Sequence, residues 1–286
     1  MIEKSIPFAR RFSIEATRPD AAEIATLARI LQAGTEVYFT AVPTVGPHEV
    51  IAAAVNLRKA GLEPVVHIAA RRQASANDLQ ELLARLHGEA QVRRLLVIGG
   101  DADTAGPFAD ALAVIQKGGL REAGIEEIGI AAYPEGHARI PSGRLEAALD
   151  EKIASATAQG LRVNIVSQFS FLPDRVIAWL RQLRACGIVT PVKVGMAGPT
   201  SVPALLRYAK RCGVATSLRG LISGVGTSLI GNVGPGRMIE ALAQAGELGD
   251  IAPHYFSFGG VVETACYACE VAVGTQPPSR AMAHRI

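Results

Sequence analysis

Carboxylates, imidazoles and one carboxamide interrupt otherwise apolar runs at a few places in this chain. Glu15 follows Ser13-Ile14 in a run that ends at Arg18-Pro19. His67 lies inside VVHIAA, Asp101 follows Gly99-Gly100, and Tyr133-Pro134-Glu135-Gly136-His137 follows IGIAA. Gln168 stands between Ser167 and Phe169, and His254 and Tyr255 belong to the last apolar run. Carboxyl and imidazole groups move protons, and an amide offers both a donor and an acceptor. Phe169 and Phe171 alternate about Ser170, so one of the two rings can stack on a planar ligand. Each feature also has a plainer reading. A carboxylate in an apolar run is costly to bury unless paired, and Arg18 or another base is a candidate partner for Glu15. His67 reads as a satisfied core histidine, Asp101 as the cap of a following helix, and Tyr133–His137 as a turn. What favours a site is that all of them fall at one end of successive β-runs.

Those runs recur along the whole chain. Strands are predicted at Phe12–Ala16, Glu36–Ala41, Pro64–Ala69, Arg94–Gly99, Glu127–Ala132, Val163–Phe169, Val192–Ala197 and His254–Phe258. Most are near-continuous apolar stretches, the pattern of strands buried on both faces. Helices are predicted at Asp20–Gln32, Pro47–Ala60, Ser75–His87, Arg144–Gln159, Pro173–Cys186 and Ser201–Cys212, with another from Arg237. Several open on proline or a polar cap and stop at glycine. Eight strand–helix pairs at a period of about 35 residues are the arithmetic of an α/β fold of the (βα)8 TIM-barrel class, with an open doubly wound sheet as rival. We expect one domain over residues 1–286, with an insertion or lid at about 215–249. In such a barrel, chemistry belongs at the C-terminal strand ends.

Composition narrows the class further. The 286 residues are 49% hydrophobic and 19% charged, which excludes a disordered chain. Four cysteines are no disulfide framework. The net charge of +3 is spread along the chain, so no nucleic-acid-tracking patch is evident. No apolar run reaches the roughly 20 residues of a membrane span, and MIEKSIPFARRF carries charges where a signal peptide is apolar. The expectation is a cytoplasmic protein with no nucleic-acid or membrane partner. Cys266-Tyr267-Ala268-Cys269 reads as helix packing rather than half of a zinc site. Gly224-Val225-Gly226 and Gly234-Pro235-Gly236 follow no strand and are no dinucleotide fingerprint. Ala197-Gly198-Pro199-Thr200 is either an ordinary loop or a substrate contact. No residues have metal-ligand spacing.

The ordered set resembles the methylenetetrahydrofolate reductase family of flavoprotein barrels. The matching pieces are Ser13-Ile14-Glu15 followed by Pro19, His67-Ile68, Gly99-Gly100-Asp101, Tyr133-Pro134-Glu135-Gly136-His137 and Ser167-Gln168-Phe169-Ser170-Phe171. They extend across about Phe12–Gly198. The resemblance implies interconversion of 5,10-methylenetetrahydrofolate and 5-methyltetrahydrofolate in one-carbon metabolism, serving methionine biosynthesis. Hydride would pass from NAD(P)H through FAD, with both substrates using one face of the flavin in turn. By the same resemblance, Glu15 is the catalytic acid that protonates the departing ring nitrogen. Asp101 stabilises the developing cation and tunes the flavin. Gln168, Phe169 and Phe171 bind folate, and Thr40, His67, Gly100, Asp101, Tyr133, His137 and Lys152 bind FAD. A homo-oligomer is expected. The chain departs from the family pattern where Arg-Gly-Asp has become Gly99-Gly100-Asp101, where the helix before Gln168 is a turn longer, and where Gly259-Gly260 follows the last aromatics. These departures motivate two alternatives, a flavin-free NAD(P)H–folate reductase and a non-catalytic folate-binding subunit.

Overall fold

The computed structural model describes residues 6–39, 46–103, 105–211 and 234–274. Its strands are β1 Ser13–Ala16, β2 Glu36–Phe39, β3 Glu63–Ala69, β4 Arg94–Ile98, β5 Glu127–Ala132, β6 Arg162–Ser167, β7 Val192–Ala197 and β8 Ile251–Phe256. Their order is that of a closed barrel, β1 through β8 in sequence, the (βα)8 architecture expected from the repeat. The helices are α1 Ile6–Ala9, α2 Ala21–Ile30, α3 Pro47–Lys59, α4 Ala76–Ala90, α5 Ala111–Lys117, α6 Ser142–Ala158, α7 Pro173–Ala185, α8 Val202–Arg211, α9 Gly236–Gln244 and α10 Val261–Ala272. Among the described residues no helix is long and apolar enough to cross a membrane.

Local chemistry explains the element boundaries. Asp20 caps α2 and exchanges hydrogen bonds with Glu23 in a capping box. Ser75 and Asp110 cap α4 and α5 with their side chains, and Pro47 and Pro173 open α3 and α7. Among the described residues, two strands differ from the sequence expectation by more than one residue at an end. β6 stops at Ser167, because the Gly195 N–H donates to the Ser167 hydroxyl at 2.8 Å instead of to a strand carbonyl. Gln168 and Phe169 therefore lie beyond the strand. β8 starts three residues early, and Pro253 sits within it in register with Val194. That makes His254 and Tyr255 mid-strand residues. Helix α5, only seven residues long, is too short to leave a periodic signal. Of the expected insertion, residues 234–249 hold α9 and its connection to β8, and residues 215–233 lie outside the described residues.

The chain divides into two compact units. One comprises residues 15–132 and 139–166 and contains the parallel ladder β2–β3–β4–β5. Its interior cluster is Tyr38, Val65, Leu96 and Val166, with Ile98 packed against it. At the N-terminal strand ends, Arg94 pairs with Glu36 at 2.9 Å and Glu127 at 3.5 Å. The Asn164 amide donates to Glu127 at 2.8 Å, and Arg58 pairs with Glu63 at 2.6 Å. Burial, reinforced by the charges of Glu36 and Glu127, raises the Tyr38 hydroxyl well above its ordinary pKa and keeps it neutral. The other unit comprises residues 1–14, 133–138 and 167–286, with β7 paired to β8 from Val192↔Ile251 to Ala197↔Phe256. Its core cluster is Phe169, Ala197 and Leu205, with Phe171, Phe256 and Phe258 against it.

Arg94 serves two carboxylates that are themselves mostly buried. Arg94→Met is expected to lower unfolding free energy by about 2 kcal/mol, since it removes the cation shared by Glu36 and Glu127. Urea denaturation measures this, and an unchanged midpoint would show that the pairs contribute nothing.

Candidate active site

Alternation along β1 sets Ser13 and Glu15 on one face. Glu15 Oε2 lies 4.0 Å from His67 Nε2, with side-chain exposures of 14% and 5%. The Tyr38 ring meets His67 edge-on, with centroids 6.2 Å apart. Arg18, the partner considered for Glu15 from the sequence, pairs with Glu49 on the surface at 3.4 Å. The apolar setting thus holds an acid beside an imidazole. In the other unit the Ser13 hydroxyl and His254 Nδ1 are 2.8 Å apart, both buried. His254 is thus satisfied by a neighbour on β1, a pairing that its sequence context gave no sign of.

Asp101 follows β4. It does not cap the next helix, since Asp110 caps α5. Its carboxylate is 63% exposed and accepts a hydrogen bond from Arg72, in the 3-10 turn Ala70–Arg72 after β3. Gly100 has φ +85°, and a Cβ there would stand 3.3 Å from the Ala69 Cβ. Glycine therefore fits both the left-handed turn and the bare backbone surface. Arg71 fastens the same loop. Its side chain donates to the carbonyls of Ala109 at 2.9 Å and Ala102 at 3.1 Å, and its N–H donates to Gly99 O at 3.0 Å. A Cβ on Gly106 would lie 2.2 Å from Gln73 O, so loop and turn are in direct backbone contact. Neither arginine stood out in the sequence, because arginines after a strand are common surface residues.

Lys152 lies partly buried on α6. Burial lowers its pKa, and the charge of Asp110 works in the opposite direction. An ammonium held this way is favoured by a further anion at its side.

In the second unit, the Tyr133 and His137 rings meet edge-on at 4.9 Å. The Phe169 N–H donates to Gln168 Oε1 at 3.1 Å, which orients the carboxamide and leaves its NH2 end as the donor available to a ligand. Phe169 is 1% exposed and serves as the hub of the aromatic core, in contact with Phe171, Phe256 and Phe258. Of the two rings considered for stacking, Phe171 keeps the accessible surface. A Cβ on Gly195 would fall 2.3 Å from Ser167 O and 2.8 Å from both the Gln168 carbonyl carbon and Phe169 N. Glycine at that position is what lets the Gln168 segment cross β7. Thr40 and Gly224-Val225-Gly226 lie outside the described residues. The cysteine pair does not pack the core as expected. Cys266 is exposed and Cys269 half-buried, and the buried face of α10 is Val261, Thr264, Ala265 and Ala268. Among the described residues no three His, Cys, Asp or Glu side chains group as metal ligands.

The class this defines is a (βα)8 barrel with proton-transfer and hydrogen-bonding groups at and just beyond the C-terminal ends of its strands. The methylenetetrahydrofolate reductase family model matches residues 22–217, more than half of the chain, and the chain belongs to that family. Membership supports a folate-related reductase. The match includes His67, Asp101, Tyr133, His137 and Gln168, while Glu15 precedes it. Among solved structures, the dihydropteroate synthase of Thermus thermophilus aligns with a TM-score of 0.49 at 17% identity, covering 91% of each chain.

Gly195→Ala is expected to cost roughly 2–3 kcal/mol, because the new methyl group meets backbone rather than a movable side chain. A thermal melt tests it. An unshifted midpoint would mean that the β6–β7 crossing has slack.

Proposed function

We propose that this protein interconverts 5,10-methylenetetrahydrofolate and 5-methyltetrahydrofolate, using FAD and NAD(P)H. The observation that carries the reading is Glu15: a largely buried carboxyl beside an imidazole, at the end of an apolar strand. Opening the five-membered ring of methylenetetrahydrofolate requires its arylamine nitrogen to leave as a neutral amine. Glu15 delivers that proton to the nitrogen and takes it back in the reverse direction. Asp101 supplies negative charge against the iminium that results. The NH2 end of Gln168 donates to the pterin edge, and Phe171 offers a ring face.

The described residues suit FAD chemically. Gly100 bares a stretch of backbone, Arg72 and Lys152 supply cations for a diphosphate, and the burial of Lys152 makes an added anion favourable. His67 adds a ring nitrogen in the same unit, and the family resemblance assigns Tyr133 and His137 to the flavin as well. When bound, FAD carries hydride between the nicotinamide and the folate carbon.

The purified protein is expected to absorb in the flavin bands, and the colour to bleach on anaerobic addition of methyltetrahydrofolate. A colourless protein that still reduces methylenetetrahydrofolate with NAD(P)H would replace this reading with direct hydride transfer. Glu15→Gln is expected to lower folate turnover by about a thousandfold while flavin reduction by NAD(P)H persists. Equal turnover in the variant would remove Glu15 as the acid.

Lys152 yields a separate prediction of opposite signs. Its folded-state pKa is depressed, so the unfolded chain holds the extra proton, and the contribution to stability rises as pH climbs toward the ordinary lysine range. Lys152→Met is therefore expected to raise the melting temperature of the flavin-free protein at pH 7 by roughly 1–3 °C. The same change is expected to weaken FAD binding about tenfold. Parallel melts and flavin titrations check both, and a loss of both stability and affinity would mean that the lysine is structural.

A further inference from the structure

We propose that Arg72 is a positioning residue of the site. From the turn after β3 it places a guanidinium on the Asp101 carboxylate, and so sets how much negative charge Asp101 presents to the flavin. The inference rests on the flavin-dependent reading above.

Three observations carry it. First, Arg72 and Asp101 are unequally buried, with side-chain exposures of 21% and 63%. A pair with so exposed a carboxylate adds little stability, so its geometry needs another reason. Second, the two arginines of the turn divide their work. Arg71 is committed to the carbonyls of Ala102 and Ala109 and shapes the loop. Arg72 instead places an NH2 group of its planar fork on the Asp101 carboxylate. Third, Gly99 and Gly100 are glycines for different reasons. Gly100 is required by its positive φ and by Ala69. A Cβ on Gly99 would meet nothing within 4 Å, and its φ is not left-handed. Sterics do not forbid a side chain at position 99, and the Arg-Gly-Asp pattern has its arginine there. Here a guanidinium reaches Asp101 from the adjacent turn.

The physical consequence is electrostatic. A bare carboxylate near the flavin opposes the arrival of electrons, and a guanidinium bonded to it offsets that charge. Arg72 thereby favours both binding and reduction of the flavin.

The test compares the parent protein with Arg72→Gln, Arg72→Lys and the double variant Arg72→Gln/Gly99→Arg. Three quantities are read: FAD affinity by fluorescence titration of the flavin-free protein, the midpoint potential of the bound flavin, and the melting temperature. Arg72→Gln is expected to weaken FAD binding about tenfold and to lower the potential, with little change in melting temperature. Arg72→Lys keeps the charge but loses the fork, and is expected to fall between. The double variant is expected to recover both affinity and potential, which a merely structural role for Arg72 would not produce. Parent affinity and potential in Arg72→Gln would overturn the proposal and leave the flavin reading intact. So would a double variant no better than Arg72→Gln. A parent protein that binds no FAD would overturn the flavin reading, and this proposal with it.

Discussion

A carboxyl group survives inside an apolar sheet only if something nearby shares its charge or its proton. Here that neighbour is an imidazole, 4.0 Å from Glu15 and itself almost wholly buried. An imidazole can itself donate or accept a proton, which a guanidinium cannot. The arrangement depends on what lies around it. Tyr38, on the strand between those bearing the pair, closes one side of the imidazole and belongs to the packed cluster with Val65, Leu96 and Val166. Substituting a smaller or more polar side chain in that cluster would admit water and relax the constraint on the acid.

Charge is distributed unevenly between the two ends of the strands. At the N-terminal ends, Glu36, Arg94 and Glu127 compensate one another within a few ångströms. Such matched charge at the N-terminal face belongs to stability. At and beyond the C-terminal ends, the ionisable groups are held more loosely. Asp101 is largely exposed, and Lys152 is a cation whose surroundings disfavour its charge. Groups of that kind can gain from an added ligand.

Much of the fold was legible in the sequence because periodicity and punctuation agree. VVHIAA and LLVIGG read as strands and are strands, and Pro47, Ser75 and Pro173 open helices where expected. The failures have identifiable causes. Short α5 leaves no periodic signal. Pro253 disguised the middle of β8 as its boundary. The Ser167 hydroxyl ended β6 early by accepting a bond that belongs to long-range geometry. For the candidate site, residue types at strand ends singled out Glu15, His67, Asp101 and Gln168 as candidates. Their partners were not legible. Arg72 on Asp101, Ser13 on His254 and Asp110 near Lys152 join residues far apart in the chain, and nothing in local pattern announces such pairs. The burial of Phe169 was hidden for the same reason, since alternation assigns a residue to a face without saying which face is filled.

Arg71 has a consequence for how this region can diverge. Its side chain grips main-chain oxygens of Ala102 and Ala109 rather than any particular neighbour's functional group. Every amino acid brings that same oxygen. Many residues between those two anchor points can therefore be exchanged over evolutionary time while the ribbon keeps its course, so long as the arginine and the close contact at Gly106 persist. Sequence change in this stretch leaves the anchors that hold it untouched.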